Sequence, residues 1–269
     1  MSDNRELAYR YDLFISPDWR ERFDSILEEN IEVPGKGDIL EVNCGTGAYA
    51  IELAERMKGK GQVLGVDSSP ERIEIARAKA MVKKVSDVKF QEADAGSLAF
   101  DSNRFDLVIG DASLTPANQI ERVSSELLRV TRPGGRVILK LITRGSFDEF
   151  FSIYWEALNA LGLVEDVWPE LERMINERAT ISDVNSMMES LGLREVEVFS
   201  NKEEFFFETG SDFITNPLIE DMFLGKWLSI VPDERHNEVR NLIISLIETE
   251  RHDAPFDISI KATLVTGLK

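Results

Sequence analysis

Short apolar runs alternate with helix-like patterns through the first half of the chain. The runs are nearly continuous in apolar character and rich in β-branched residues, which is typical of strands buried in a parallel sheet. They predict strands over residues 38–43, 62–67, 87–92, 105–111 and 136–142. The segments between them predict helices over about 47–58, 69–83 and 117–131. Repeated strand–helix–strand units imply right-handed crossovers, with helices on both faces of an α/β sheet.

Two local signals mark helix ends in this region. Ser69 is placed to cap a helix whose first residue is Pro70, because a missing N–H has no consequence at that position. The segment Pro133-Gly134-Gly135 should end another helix and turn the chain into the fifth strand.

After residue 143 the pattern changes. Residues 146–163 predict an aromatic helix with a capping box from Ser146 to Glu149. Further helices are predicted over 180–191 and within 209–253, and further strands over 194–200 and 256–267. We interpret the chain as a single domain, 1–269, with helical insertions at 144–180 and 209–254.

Composition and charge narrow the range of partners. The 269 residues are 43% hydrophobic and 30% charged, an ordinary globular composition. The chain has 31 Lys and Arg against 49 Asp and Glu, a net charge of −18. Nucleic-acid phosphates are bound by clustered basic side chains, and the sequence has no dense run of them. We therefore expect no nucleic-acid partner and interpret the charge as a solubility feature.

The content of cysteine and histidine argues against a metal centre. Cys44 is the single cysteine, and with two histidines there are too few ligands for a zinc cluster and no partner for a disulfide. The N-terminal residues lack the basic and apolar regions of a signal peptide, and no apolar stretch approaches the roughly 18–20 residues that span a bilayer. We expect no metal, no membrane segment and a cytoplasmic setting.

Glycines and an acid stand at the ends of the first two predicted strands. Gly45 and Gly47 follow the first strand and lead into a helix at Ala48, where backbone N–H groups can face a ligand. Asp67 ends the second strand, at the edge of an open α/β sheet where an acid can hold a ribose diol. The pattern favours a nucleotide-type ligand over a plain tight turn beside an exposed aspartate.

Two such ligands compete. Gly45-x-Gly47-x-x-Ala50, with Asp67 placed 20 residues beyond Gly47, formally fits the dinucleotide fingerprint of an NAD enzyme. Glu41, inside the preceding strand, opposes a diphosphate but favours the ammonium and sulfonium charges of S-adenosylmethionine. The electrostatics therefore prefer S-adenosylmethionine, and an NAD(P)-dependent oxidoreductase is the alternative.

A set of segments in the right order carries a family resemblance. Residues 41–47 (EVNCGTG) resemble the glycine-rich motif of class I S-adenosylmethionine-dependent methyltransferases, and residues 63–70 resemble that family's second strand with its ribose-binding acid. Similar matches follow at 91–95, 98–108 and 128–135. The resemblance covers residues 37–142. It implies a Rossmann-like, doubly wound, mostly parallel seven-stranded sheet with an antiparallel last strand and helical insertions.

The resemblance, closest to the small-molecule "type 11" members, also implies a set of cofactor-binding residues. They are Glu41, Asn43, Cys44, Gly45, Gly47, Asp67, Ser68, Asp94, Ala95, Gly110 and Asp111. Asn43 departs from the family pattern because it replaces the first glycine. Asparagine tolerates unusual backbone angles better than most residues, so we expect the loop to keep its conformation.

Asp111, at the end of the fourth strand, is the candidate catalytic residue. It is interpreted as a general base or an orienting acceptor, with capping of the next segment as the alternative. The Asn/Asp-Pro-Pro-aromatic motif of amino-methylating relatives is absent at this position. We therefore expect methyl transfer to oxygen or carbon of a small or medium-sized organic acceptor rather than to a ring nitrogen.

The remaining expectations concern the acceptor and the N-terminus. The two insertions are interpreted either as a cap over an acceptor with apolar or aromatic bulk or as plain core. Tyr9 and Tyr11, ahead of a helix predicted at about 18–29, either close over the cofactor's methionine end or pack on the surface. His236 and His252 are interpreted either as proton acceptors or as exposed histidines without a functional role. A non-catalytic S-adenosylmethionine-binding protein is a further alternative, and the oligomeric state is left open.

Overall fold

The computed structural model describes residues 2–250 and 255–269. Within this part of the chain, the strands form a seven-stranded sheet in the order β3-β2-β1-β4-β5-β7-β6. The strands are β1 Gly37–Val42, β2 Gly61–Asp67, β3 Val88–Glu92, β4 Phe105–Asp111, β5 Thr131–Thr143, β6 Arg194–Phe207 and β7 Phe256–Leu268. The pairs β1–β2, β1–β4, β2–β3 and β4–β5 are parallel.

The last strand runs antiparallel to β5. Gly134 N donates to Lys269 O at 2.8 Å, and Lys269 N donates to Gly135 O at 3.0 Å, so two residues of β5 face one residue of the other chain segment, as in a bulged antiparallel pair. The predicted fold class, a mostly parallel doubly wound sheet with an antiparallel last strand, is therefore confirmed. The same pairing explains why β5 begins at Thr131, earlier than predicted, and takes in the glycines that were expected to form a turn.

Helices connect the strands as the alternating pattern predicts. The α-helices are α1 Ser2–Arg10, α2 Glu21–Asn30, α3 Ala48–Met57, α4 Pro70–Lys83, α5 Ile120–Val130, α6 Asp148–Ala160, α7 Val164–Asn176, α8 Ile181–Ser190, α9 Gly210–Thr215, α10 Pro217–Ile219, α11 Gly225–Leu228 and α12 His236–Glu250. Ser69 caps α4 as predicted, since its side chain accepts a hydrogen bond from Arg72 N and Pro70 is the first helical residue.

The N-terminal helix differs from its prediction. The expected start at about residue 18 is wrong, because helical structure already covers Ser2–Arg10 and continues as a π-helix over Tyr11–Arg20 before α2. Pro17 lies inside the π-helix and contributes no N–H to its hydrogen-bond ladder. Trp19, one residue after the expected start, therefore lies inside a helix and is fully buried.

The predicted capping box of Ser146 and Glu149 is also wrong. Helix α6 begins at Asp148 after Phe147, whose φ is +67°. Ser146 Oγ instead donates to Thr143 O at 2.7 Å and accepts from Lys261 N at 2.8 Å. The Glu149 carboxylate accepts from Ser259 N and Ser259 Oγ. Partners on β7 thus replace the local cap.

The described chain divides into two compact units, one comprising residues 1–142, 180–201 and 262–269, the other residues 143–179 and 202–261. The first contains β1 to β4 and their helices. The second has an aromatic core, in which the ring of Phe150 stacks on Trp227 at 3.9 Å and Tyr154 Oη donates to Trp227 O at 2.7 Å. The interpretation as one domain with two insertions stays a prediction, and so does the proposed cap.

In the described residues, no helix is both long enough and apolar enough to cross a bilayer.

Candidate functional site

A cavity of about 230 Å³ lies at the carboxyl ends of β1, β2 and β4, inside the first unit. Of the residues predicted to bind a cofactor, its wall includes Asn43, Asp67, Ser68, Asp94, Ala95 and Asp111. The wall also includes Tyr11, Arg20, Arg72 and Ser113. The sheet order explains this assembly, because β1 lies between β2 and β4 and brings their ends to one edge.

The glycine loop, residues 43–47, connects β1 to α3 through left-handed backbone conformations. Gly45 has φ +58° and Gly47 has φ +75°. A Cβ on Gly47 would lie 2.6 Å from the ring of Phe90, and one on Gly45 would lie 2.8 Å from Tyr11 Oη. Both positions therefore require glycine for two reasons, the backbone angle and the close approach of a neighbouring side chain.

Asn43 takes the same unusual conformation, with φ +57°, as expected for the residue that replaces a glycine. Its side chain adds a contact that glycine lacks, since Nδ2 donates to Asp111 O at 2.8 Å. This bond joins the end of β1 to the end of β4. Cys44, which follows, is buried, and its backbone N–H donates to Val66 O at 2.8 Å.

Asp67 is buried at the end of β2 and holds the loop. Its Oδ2 accepts from Gly45 N at 2.9 Å and its Oδ1 accepts from Ser69 N at 3.0 Å. A carboxylate offers about four lone-pair sites, so both oxygens retain capacity for further donors such as ribose hydroxyls. The structure therefore fixes the orientation of this carboxylate on the cavity wall.

Asp94 and Ala95 also line the cavity. The Asp94 side chain is 64% exposed, pairs with Arg122 at 3.2 Å and accepts from Gly96 N at 2.9 Å. Gly110, by contrast, does not line the cavity. A Cβ there would lie 2.4 Å from Leu127 Cδ1, so this glycine allows α5 to pack closely on β4.

Glu41 is fully buried and does not line the cavity. Arg20 NH2 lies 2.7 Å from its Oε1, and Oε2 has no hydrogen-bond partner among the described residues. Burial raises the pKa of the Glu41 carboxyl to about 7, although Arg20 and Lys140 act to lower it. The carboxylate expected to face a cationic ligand is thus paired with a guanidinium.

Arg20 is the main residue that sequence reasoning missed. Its NH1 donates to Asn43 O at 2.6 Å and lies 3.3 Å from Asp111 Oδ2, so one side chain joins the ends of β1 and β4. A carboxylate inside a buried strand does signal that a cationic partner exists, because an unpaired buried charge is strongly unfavourable. Nothing local to Glu41 indicates which cation this is.

Tyr11 and Trp19 of the same π-helix also reach the site. The Tyr11 ring lies under the Arg72 guanidinium at 3.8 Å, whereas Tyr9 is half exposed and does not line the cavity. Trp19 Nε1 donates to Ser113 Oγ at 2.9 Å. Tyr9 therefore packs at the surface, and closure of Tyr11 over a ligand stays a prediction.

His236 is not part of this cavity. His236, in the second unit, lies with Nε2 2.8 Å from Val231 O and 3.6 Å from Asp233 Oδ1. His252 lies outside the described residues.

Comparison with known proteins identifies similarity to methyltransferases. Residues 39–135 match a family model described as a methyltransferase domain. This range spans β1 to β4 and contains the glycine loop, Asp67, Asp94 and Asp111.

Demethylmenaquinone methyltransferases are among the relatives with similar sequences. The one from Thermus thermophilus is 35% identical over 162 residues, which cover 56% of this chain and 70% of the relative. The one from Lactococcus lactis is 35% identical over 100 residues, which cover 37% of this chain and 40% of the relative. The one from Shouchella clausii is 27% identical over 127 residues, which cover 47% of this chain and 54% of the relative. The chain spans about half the length of several curated relatives that it matches.

Solved structures show the same fold. The YcgJ protein from Bacillus subtilis superposes with a TM-score of 0.56 at 17% identity, covering 93% of this chain and 98% of that one. Phosphoethanolamine N-methyltransferase 2 from Haemonchus contortus, solved with S-adenosylhomocysteine, superposes with a TM-score of 0.58 at 17% identity. The match covers 97% of this chain and 57% of that one. At such identities the likeness establishes the fold alone.

Proposed function

This chain belongs to the class I S-adenosylmethionine-dependent methyltransferases, and from that membership we propose that it transfers a methyl group from S-adenosylmethionine to a small or medium-sized organic acceptor, at oxygen or carbon. One observation carries the proposal. Asn43 of the glycine loop, Asp67, the Asp94–Ala95 pair and Asp111 line one cavity within one unit, whereas Cys44, Gly45 and Gly47 lie outside its wall. The family resemblance implies a cofactor-binding role for each of these residues.

The chemistry of the cavity wall fits a cationic donor. Its carboxylates, Asp67, Asp94 and Asp111, outnumber its guanidinium groups, Arg20 and Arg72. A pyrophosphate would be repelled by such a wall, whereas an ammonium or sulfonium is attracted. This balance supports S-adenosylmethionine over the dinucleotide of an oxidoreductase.

We assign the roles of the wall residues as follows. Asp67, held by Gly45 N and Ser69 N, binds the ribose hydroxyls, and the Asp94–Ala95 pair contacts the adenine. The glycine loop takes the methionine end. S-adenosylmethionine supplies an activated methyl group on a sulfonium. The protein's tasks are alignment of the two reactants and exclusion of water.

The names of the relatives support an acceptor with apolar or aromatic bulk. Several are demethylmenaquinone methyltransferases, whose name specifies a quinone-type acceptor. The missing Asn/Asp-Pro-Pro-aromatic motif after β4 supports oxygen or carbon as the methylated atom. An aromatic or quinonoid small molecule is the acceptor class we infer.

Calorimetric titration with S-adenosylhomocysteine and, separately, NAD tests the cofactor. We expect the wild type to bind the first and not the second. Asp67→Ala should weaken binding of S-adenosylhomocysteine about tenfold or more. Asp101→Ala, an exposed aspartate outside the cavity, is the matched control and should bind like the wild type.

Turnover is tested by transfer of a labelled methyl group into a mixture of organic acceptors that includes demethylated quinols. Label that appears in the organic extract and is lost in Asp67→Ala supports the proposal. Binding of S-adenosylhomocysteine without any transfer would indicate a non-catalytic binding protein. Binding of NAD alone would overturn the assignment of the cofactor.

A further inference from the structure

A group of buried charges surrounds Glu41 behind the cavity wall of the first unit. The titratable and charged side chains that face Glu41 are Arg20 on the π-helix, Asp24 on α2, Cys44 in the glycine loop, Tyr49 on α3, Asp111 on β4 and Lys140 on β5. On β2, the residue paired with Glu41 is Gly65, which has no side chain. Burial raises the pKa of the Cys44 thiol and of the Tyr49 phenol, so both of these groups are neutral.

The other five side chains of the group do not balance in charge. Arg20 and Lys140 supply two positive charges. Glu41, Asp24 and Asp111, if all were ionised, would supply three negative charges. These side chains are at most 6% exposed, apart from that of Asp24 at 18%. Because an uncompensated buried charge is strongly unfavourable, one bound proton is needed to bring the group to neutrality.

Two of the three acids have partners that favour the ionised form. Asp24 is paired with Lys140. Asp111 Oδ1 accepts hydrogen bonds from Ser113 N at 3.0 Å and from Ser113 Oγ at 2.5 Å. Hydrogen bonds and cations directed at a carboxylate stabilise its charged form, so the proton is not expected on either of these groups.

Glu41 has the weakest support for a negative charge. Its Oε1 accepts from Arg20 NH2 at 2.7 Å, but the same guanidinium lies 3.3 Å from Asp111 Oδ2 through NH1 and is shared between the two acids. Glu41 Oε2 is buried without a hydrogen-bond partner among the described residues. Burial raises the pKa of this carboxyl to about 7. The balancing proton therefore belongs on Glu41.

The position of this carboxyl makes it sensitive to the charge of a ligand. Arg20 and Asp111 line the cavity, and Glu41 lies directly behind Arg20. S-adenosylmethionine has one net positive charge, whereas S-adenosylhomocysteine, which lacks the sulfonium, has none. A positive charge nearby favours the ionised form of a carboxyl, and this effect acts through space in a poorly solvated interior. Glu41 can thus respond to the ligand without touching it.

We propose that Glu41 holds the balancing proton in the empty protein and releases it when the positively charged S-adenosylmethionine binds, so that rising pH favours this donor over its neutral product. This inference rests on the proposed function and adds to it a discrimination between donor and product. In the proposed step the O–H bond of the carboxyl breaks and the proton passes to the solvent. Because binding releases a proton, affinity for S-adenosylmethionine rises as the pH passes through about 7.

Calorimetry of the full chain in two buffers with different ionisation enthalpies counts the protons released on binding. At pH 7, S-adenosylmethionine should release about 0.4 proton per site more than S-adenosylhomocysteine does, which corresponds to a tenfold rise in the acidity of Glu41. The ratio of the two affinities should then rise about fivefold in favour of S-adenosylmethionine between pH 6 and pH 8.

Two glutamate variants assign the proton. Glu41→Gln cannot titrate, so the ligand-dependent proton release and the fivefold change should both disappear. Titration of the ligands' own amino groups is common to all the proteins and is subtracted by this comparison. Glu28→Gln is the matched control, because Glu28 lies outside the cavity wall with a side chain 35% exposed, and it should keep the wild-type values. Persistence of both effects in Glu41→Gln would overturn the inference.

Infrared spectroscopy of the wild type tests the same step without a variant. The carbonyl band of a protonated carboxyl should weaken when S-adenosylmethionine is added at pH 7 and stay unchanged with S-adenosylhomocysteine. Binding of both ligands with equal proton release and no change in this band would overturn the inference and leave the proposed function intact. If the wild type binds neither ligand, the proposed function fails and this inference fails with it.

Discussion

The guanidinium of Arg20 lies 2.7 Å from the carboxylate of Glu41, and both side chains are buried. Glu41 is in β1, and Arg20 is the last residue of the π-helix that precedes α2. The pair therefore fastens the N-terminal helical segment to the centre of the sheet. Since Arg20 also contacts Asn43 O and Asp111, the same side chain links the ends of β1 and β4 at the cavity wall.

Removal of this guanidinium should be strongly destabilising. Arg20→Met leaves the carboxylates of Glu41 and Asp111 buried without their cation, and the free energy of unfolding should fall by about 3–5 kcal/mol. Urea unfolding measures the loss. Arg22→Ala is the control, because its ion pair with Asp18 is partly open to solvent, with side chains 25% and 55% exposed, and its loss should change stability by less than about 1 kcal/mol. Similar losses in the two variants would contradict this account.

Stability should depend on the ionisation of Glu41. Burial raises the pKa of this carboxyl to about 7 from an ordinary 4.5, so the folded state binds the proton more tightly than the unfolded state. The resulting stability is present below about pH 4.5 and is lost as the pH rises through about 7. Glu41→Gln cannot titrate. The wild type's free energy of unfolding should therefore fall, relative to the variant's, by up to about 3 kcal/mol between pH 4.5 and 8.

Urea unfolding of both proteins at several values of pH measures this difference. A constant offset between wild type and Glu41→Gln over the whole range would show that Glu41 keeps an ordinary pKa.

The packing of the glycine loop predicts a large effect of a single methyl group. Gly47→Ala places a Cβ 2.6 Å from the Phe90 ring at a residue with φ +75°. Gly134 has a similar φ, +77°, but no atom within 4 Å of the added Cβ, so Gly134→Ala isolates the backbone strain. Gly47→Ala should lower the free energy of unfolding by about 1–3 kcal/mol more than Gly134→Ala does, because the clash adds to the strain. If Gly47→Ala and Gly134→Ala were equally stable to heat and to urea, the predicted clash with Phe90 would be refuted.

Two substitutions at Asn43 distinguish the effect of its backbone conformation from the effect of its side-chain hydrogen bond. Asn43→Gly and Asn43→Ala both lose the hydrogen bond from Nδ2 to Asp111 O. Only alanine adds strain at φ +57°, so it should be less stable than the glycine variant by about 1 kcal/mol. Chemical denaturation of the pair measures this difference. If alanine were the more stable of the two, the left-handed conformation would not be required.

Much of the cofactor half was predictable because its signals are local. The predicted limits of β1 to β4 agree with the structure to within a residue at each end. Errors occurred where a distant partner replaced a local one. The Ser146–Glu149 capping box gave way to hydrogen bonds with β7, and Pro133-Gly134-Gly135 was drawn into β5 by pairing with Lys269.

The amino-acid sequence alone determined the alternation of strands and helices, the left-handed loop and the acids at the strand ends, because hydrophobic period, glycine and capping residues act over a few neighbours. Only the tertiary structure decided which side chains meet at the cavity. Trp19 reaches Ser113 across 94 residues, and Arg20 reaches Glu41 across 21. Such pairings depend on the order of strands in the sheet and on the electrostatic need of a buried carboxylate for a cation, and neither is set by the residues adjacent in the chain.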